Sequence, residues 1–372
     1  MTTVSPASAG QPVAASAAGR NAVVLCTDRR MLVPALFVAS AVRRHASGAV
    51  PFDVVVVAEP GTTEPHERAW MAARDIEACE DVDYRRCEGI GIIDPRLSVA
   101  TLVKLLLPDL FADRYDTLLY LDCDLTIHAD VSPLFRLDIA PCPVAAQRRG
   151  MLFLTPQLAA EGAAHFERLG MTRPVRYCNA GVMLMDVARW RAENLAARCF
   201  DFIRHDPDRC RLVDEDALNG VLNGRFASLS PVWNLMPPRR GMTAATSIVQ
   251  PAITHYAGHD KPWKRFGHDK PLFPDLGAYR LYQDFLRDSP WPDWLRRQWT
   301  RNDLRENIAS EMRWIGRRLW GSRDPWYTAH EPTRAQMRSY LADFARHCAE
   351  EPFIDVEQGL VIRDHRPLRP AQ

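Results

Sequence analysis

The sequence predicts an α/β protein built on a largely parallel sheet with helices on both faces. Three observations predict it. Runs rich in β-branched residues, 22–26 (AVVLC), 52–58 (FDVVVVA) and 117–121 (TLLYL), alternate with segments of helical spacing. The runs are almost continuously apolar, as strands covered on two faces must be. Polar residues stand at the carboxyl ends of two runs, Thr27-Asp28 and Asp122-Cys123-Asp124. Sheets of this kind bind ligands beyond those ends.

The elements follow in order. The first strand, 22–26, runs into a polar turn at 27–30. A helix over 34–45 comes next, with Pro34 near the start where a missing N–H is tolerated. Residues 52–58 form a second strand, 64–79 and 99–111 two helices, and 117–121 a third strand. Beyond Pro141 the pattern loosens. Residues 182–185 (VMLM) read as a strand, 190–203 as a helix, 214–222 (DEDALNGVL) as a short helix, and 252–256 as a last strand that includes His255. From about Leu272 the composition shifts to Trp, Arg and Pro. The expected division is a disordered tail over 1–20, an α/β unit over 21–270 and a helical accessory region over 271–372.

The composition excludes several classes. Of 372 residues, 47% are hydrophobic and 25% charged, the mix of an ordinary globular protein. A net charge of +1 gives no sign of a nucleic-acid binder. Nine cysteines occur without CxxC or zinc spacing, and the first 20 residues lack a basic stretch followed by an apolar run. Reduced thiols and a cytoplasmic location are therefore expected. No run of 18 apolar residues occurs, so no transmembrane helix is expected.

Residues 118–127, LLYLDCDLTI, pose the functional question. Residues i and i+2 of a strand share a face, so Asp122 and Asp124 are expected to point the same way off its end. Two like charges that close need a cation or a reaction to justify them. One reading is phosphoryl transfer: the stretch resembles the DxDxT of haloacid-dehalogenase-type phosphatases, with Asp122 as nucleophile and Thr126 in place. That motif usually opens its domain, whereas here about 100 residues precede it. The other reading is metal-assisted glycosyl transfer, in which two carboxylates hold a divalent ion on the diphosphate of a sugar nucleotide. Mn²⁺ accepts mixed oxygen and imidazole ligands, with Mg²⁺ as the alternative.

Three downstream stretches weigh between them. Residues 177–186 (YCNAGVMLMD), 214–219 (DEDALN) and 255–263 (HYAGHDKPW) follow the DxD in that order. Over residues 21 to 265 the chain resembles the retaining glycosyltransferases of family 8, which include glycogenins and bacterial lipopolysaccharide galactosyl- and glucosyltransferases. The resemblance implies a GT-A nucleotide-diphospho-sugar transferase fold, here with a C-terminal helical extension. It also implies transfer of glucose or galactose from a UDP-sugar to a saccharide or lipid-linked acceptor. It places Asp122, Asp124 and His255 on the metal, and Lys261 on the diphosphate, where positive charge stabilises the leaving group. Gly258 lets the backbone approach closely. Asn179 and Asp214 match residues that hold the donor sugar's hydroxyls. Cys26, Thr27 and Asp28 match the uridine-binding turn, and Cys123 and Ala180 the donor pocket. Lys104 reaches the donor phosphates or sugar, or else is a solvated helix lysine. Asp214 also reads as a helix N-cap.

The departures from the family pattern concern donor and mechanism. Arg29-Arg30-Met31 replaces an acidic residue, Asn and Tyr, which removes an aromatic partner for uracil. Glu215 stands where the family has Gln beneath the reacting carbon, so a carboxylate is available to stabilise a cationic sugar or to attack it. Gln147 stands where several relatives have an acidic sugar-binding residue. A non-catalytic sugar-nucleotide-binding protein is the further alternative, against which the intact DxD, His255 and Lys261 speak. Residues 148–176 read as a variable insertion near an acceptor pocket.

Residues 291–320 hold five of the ten tryptophans and seven arginines against four acids. Leu295, Trp299, Leu304, Ile308, Met312, Ile315 and Leu319 recur at mostly helical spacing. The region is expected to form helices that pack on the α/β unit, or to touch the inner face of a membrane.

Overall fold

A computed structural model describes residues 20–87, 90, 99–149, 156–172, 176–236, 251–258, 261–265, 277–298 and 300–320, with short pieces beyond 334. Its centre is a seven-stranded sheet. In chain order the strands are β1 (Asn21–Thr27), β2 (Asp53–Ala58), β3 (Ile76–Cys79), β4 (Thr117–Leu121), β6 (Val144–Arg148), β7 (Cys178–Asp186) and β8 (Ala227–Ser228). Their spatial order is β3-β2-β1-β4-β7-β6-β8. The β3-β2-β1-β4 half is parallel; β7 runs antiparallel to both β4 and β6. Two short strands, β5 (Leu125–Ile127) and β9 (Ile253–His255), form a separate antiparallel pair.

The continuous apolar runs have a simple cause. Each strand sends alternate residues to two cores. Val23, Leu25, Leu119, Leu121, Val182 and Leu184 join one core. Ala22, Val24, Leu118, Tyr120, Met183 and Met185 join the other. Helix α1 (Leu32–His45) covers the first face. The second is covered by α3 (Ala100–Val103), α4 (Leu107–Leu110), α6 (Val187–Ala192), α7 (Leu195–His205) and α8 (Val213–Leu222).

Several elements are shorter than the spacing predicts. The helix expected over 64–79 stops at Ala72, as α2 (Pro65–Ala72); Asp75 takes a left-handed conformation, φ 52°, and the chain enters edge strand β3. The segment over 99–111 is three short helical pieces, with a 3₁₀ turn at Lys104–Leu106 before Pro108. The expected 190–203 helix breaks at Asn194, φ 50°, between α6 and α7. Within the region read as an insertion, α5 spans Pro156–Arg168.

Beyond the sheet lie α9 (Gly277–Arg287), α10 (Trp294–Arg297) and α11 (Arg301–Trp320). The first two join the α1-side core. Tyr282 stacks on Phe37 with ring centroids 3.8 Å apart, and Trp263 meets both Tyr282 and Trp294 edge-on. Trp291 Nε1 donates to buried Glu67 Oε1 at 3.0 Å. Helix α11 buries Asn307 and Ser310, while Ile308, Met312, Ile315 and Leu319 are exposed. Of the apolar residues picked out by spacing on this helix, these four are on its outer face and Leu304 is half-buried. Trp299 lies outside the described residues.

Candidate active site

The site forms where β4, β7, β9 and α8 meet. Strand β4 ends at Leu121, so Asp122-Cys123-Asp124 is a turn leading into β5 and not an extension of the strand. The carboxylates still converge. Cys123 points away and donates from Sγ to Cys26 O at 3.2 Å, which ties the turn to the end of β1. Pairing of β5 with β9 sets Leu125 opposite His255, and Tyr256 N donates to Asp124 O at 3.0 Å. His255 Nε2 therefore lies 3.3 Å from Asp124 Oδ1 and 3.6 Å from Asp122 Oδ2. One ligand atom from each of Asp122, Asp124 and His255 lies within 4.8 Å of the others.

Close approach of β7 makes this convergence possible. Gly181 O accepts from Asp122 N at 2.8 Å. A Cβ on Gly181 would stand 2.7 Å from Asp122 Oδ2 and 2.9 Å from His255 Nδ1. Two carboxylates on one turn and an imidazole on β9, converging within 4.8 Å, fit a hard or borderline divalent cation.

Two lysines flank the cluster. Lys104 is 3% exposed, so it is no solvated helix lysine. Its ammonium lies 3.1 Å from Asp122 Oδ1 and 2.9 Å from Asp214 Oδ2. Burial alone would lower its pKa, but the Asp122 and Asp214 charges outweigh that and hold it well above the usual lysine value. Lys261 Nζ lies 2.5 Å from Asp124 Oδ2. Burial would raise Asp124; His255 and Lys261 outweigh it and keep the carboxyl well below the usual range. Tyr120 donates its hydroxyl to Asp122 Oδ1 at 2.6 Å.

Helix α8 brings the remaining acids. Asn219 pins it to the start of β7, accepting from Cys178 N at 2.7 Å and donating to Cys178 O at 2.8 Å. Asp214 faces Lys104 and accepts from Thr101 Oγ1 at 2.9 Å. The capping expected of Asp214 falls to Asp216, whose Oδ2 accepts from Leu212 N at 2.8 Å. Asp216 also accepts from Tyr177 OH at 2.6 Å and lies 2.8 Å from His165 Nε2. Glu215 is engaged at both oxygens. Arg149 Nη1 donates to Oε1 at 2.8 Å; Asn179 Nδ2 and Ala180 N donate to Oε2 at 2.8 and 3.1 Å. Burial raises the pKa of both Asp214 and Glu215, against the lowering charges of Lys104 and Arg149.

The fold thus brings together Asp122, Asp124, His255, Lys104, Lys261, Asp214, Glu215, Asn179 and Ala180. Cys26 and Thr27 end β1 beside the DxD turn. Asp28 Oδ1 accepts from Met31 N at 2.9 Å, and Arg30 lies 3.4 Å from Oδ2, so this carboxylate shapes its own turn. Gly258 has φ 118°, which explains the glycine, while an added Cβ there would meet no atom of the described residues within 4 Å. Buried Gln147 has an Oε1 with no partner among the described residues. Sequence reasoning missed Asn234, Arg149 and Thr101. None stands in a spacing pattern, and only tertiary contact reveals them.

Comparisons with known proteins bear on the family and the fold. The profile described as glycosyl transferase family 8 matches residues 22–267. General stress protein A of Bacillus subtilis is 33% identical over 184 residues, covering 45% of this chain and 60% of that protein. Lipopolysaccharide 1,3-galactosyltransferase of Salmonella typhimurium is 26% identical, covering 52% of this chain and 55% of that protein. Lipopolysaccharide 1,2-glucosyltransferase of Escherichia coli is 24% identical, covering 48% of this chain and 51% of that one. The chain thus spans less than two thirds of the length of these relatives. Among solved structures, galactosyltransferase LgtC in complex with donor and acceptor sugar analogs has a TM-score of 0.59 at 22% identity, covering 75% of this chain and 100% of that one. The fold is the GT-A type, an α/β fold with a mostly parallel central sheet.

Proposed function

This chain belongs to glycosyl transferase family 8, and from that premise we propose a metal-dependent retaining glycosyltransferase. It moves a hexose, glucose or galactose, from a UDP-sugar to a hydroxyl of a saccharide or lipid-linked saccharide. The observation that carries the proposal is the Asp122, Asp124 and His255 cluster, with its ligand atoms within 4.8 Å and Lys104 and Lys261 against its carboxylates. The hexose rests on relatives named as galactosyl- and glucosyltransferases.

Asp122, Asp124 and His255 would hold the divalent ion, Mn²⁺ with Mg²⁺ as the alternative. When bound, such an ion supplies Lewis-acid neutralisation of a departing diphosphate. Lys104 and Lys261 add fixed positive charge as the leaving group gains negative charge, and a preorganised cation costs no reorganisation then. Asp214 and Asn179 orient the sugar hydroxyls. Cys26, Thr27, Asp28, Ala180 and Gly258, with the backbone at Cys123, form the donor pocket. Glu215 stabilises the cationic sugar electrostatically, because attack through either oxygen would mean releasing Arg149, or Asn179 and the Ala180 amide. The acceptor hydroxyl attacks on the face the diphosphate leaves, and the departing phosphate takes its proton. The exposed stripe of Ile308, Met312, Ile315 and Leu319 on α11 supports contact with a membrane surface.

The test is nucleotide release from a panel of sugar nucleotides, with Mn²⁺ and with chelator. Metal-dependent hydrolysis of one UDP-sugar, lost in Asp124→Ala, is expected. Turnover unaffected by chelator, or hydrolysis of a plain phosphate ester through Asp122, would overturn the proposal, the second in favour of a phosphatase.

A further inference from the structure

We propose that Asn234 is a positioning residue that sets the tautomer of His255, at the end of a hydrogen-bond relay that begins at Glu215 and the Gly181 amide. The relay's direction follows from groups whose roles have no alternative. A backbone N–H only donates, and Gly181 N donates to Asn179 Oδ1 at 3.1 Å. Asn179 therefore turns its other end, the NH₂, to Glu215 Oε2 at 2.8 Å, and that oxygen accepts from the Ala180 amide as well. Both ends of the Asn179 amide are thereby assigned.

Asn179 Oδ1 also faces Asn234 at 2.8 Å. An oxygen there would leave two acceptors in contact, so Asn234 presents its NH₂. Its Oδ1 then faces His255 Nδ1 at 2.9 Å. An acceptor at that position requires a proton on Nδ1. The lone pair of the neutral ring is consequently on Nε2, the nitrogen that faces Asp122 and Asp124. Asn179, Asn234 and His255 are each at most 3% exposed, so water does not compete for these bonds.

Without Asn234 the opposite tautomer is favoured. Two carboxylates face Nε2 and would draw the ring proton to it, which removes the lone pair a metal needs. Asn234 therefore works against the local charge, and the fold places it where no other described side chain is bonded to Nδ1.

The proposal rests on the metal reading for its purpose, but its first arm is read without metal. Nitrogen-15 histidine spectra of the full chain, without metal at alkaline pH, report which ring nitrogen carries the proton; His255→Gln identifies the signals among the 11 histidines. The wild type is expected to show Nδ1–H and Asn234→Ala to show Nε2–H. Asn234→Asp should restore Nδ1–H, since a protonated Asp donates to Asn179 Oδ1 with one oxygen and accepts from Nδ1–H with the other. Mn²⁺ titration by calorimetry should then show affinity falling on the order of 10- to 100-fold in Asn234→Ala, and recovering in Asn234→Asp. Nε2–H in the wild type would overturn the relay whether or not the variants fold. So would wild-type Mn²⁺ affinity and an unchanged tautomer in Asn234→Ala. Nδ1–H in a wild type that binds no Mn²⁺ upholds the relay and contradicts the proposed function instead.

Discussion

Gly181→Ala adds one methyl group at the tightest point of the site. The new Cβ would lie 2.7 Å from Asp122 Oδ2 and 2.9 Å from His255 Nδ1, with the ring's Cε1 closer still. Ordinary contact begins near 3.4 Å, so the carboxylate must retreat by about 0.7 Å and the ring by at least as much. His255 is 2% exposed and held by Asn234 and β9, so retreat is opposed. Metal–ligand distances tolerate errors of about 0.2 Å. The displacement exceeds that several-fold, and an error near 1 Å is enough to cost on the order of 100-fold in activity. Overpacking should cost roughly 1–3 kcal/mol of stability. Calorimetric Mn²⁺ titration and a thermal melt read the two effects separately. A folded Gly181→Ala protein with Mn²⁺ affinity within about twofold of wild type would refute the steric reasoning.

Three further outcomes are expected. Glu215→Gln should lower turnover with little change in donor KM, by roughly 10-fold if Glu215 acts only electrostatically; loss to background would instead indicate covalent attack, and unchanged turnover would remove Glu215 from the chemistry. Asp216 has its pKa lowered: burial would raise it, but His165, the Leu212 amide and the Tyr177 hydroxyl outweigh burial. Its stabilisation is therefore fully present above the unfolded value, about 4, and lost as pH falls through the folded value. Denaturant unfolding across a pH series should show Asp216→Asn less stable by roughly 1–3 kcal/mol at neutral pH, with a shallower acid-side decline; equal slopes would remove Asp216 from the linkage. Pelleting with anionic vesicles at low salt should fall in Ile308→Asp/Met312→Asp, and absence of wild-type pelleting would end the membrane reading.

The legible parts of the sequence were those with short-range periodicity or a family resemblance. The strands at 22–26, 52–58 and 117–121 were readable because each buries both faces, which leaves an unbroken apolar run. Asp122 and Asp124 converge, although a turn and not strand alternation aims them. The break at Asp75 was hidden because a left-handed aspartate leaves no mark that distinguishes it from a helical one. Asn234 was invisible for another reason. It follows the 3₁₀ turn Pro231–Trp233, and its meaning lies wholly in contacts with Asn179 and His255, 55 and 21 residues away. The reversal of α11 also escaped pattern reading, because helical spacing gives a stripe without saying which side faces the core.

In the proposed function, Asp122, Asp124 and His255 hold a divalent cation against a nucleotide diphosphate. Mn²⁺ binding followed by electron paramagnetic resonance, with and without UDP, tests it most directly. One bound ion per chain is expected, tightened by UDP, with UDP tightened equally by Mn²⁺ and both effects lost in Asp122→Asn. Mn²⁺ binding that is absent, or indifferent to UDP and to Asp122, would contradict it.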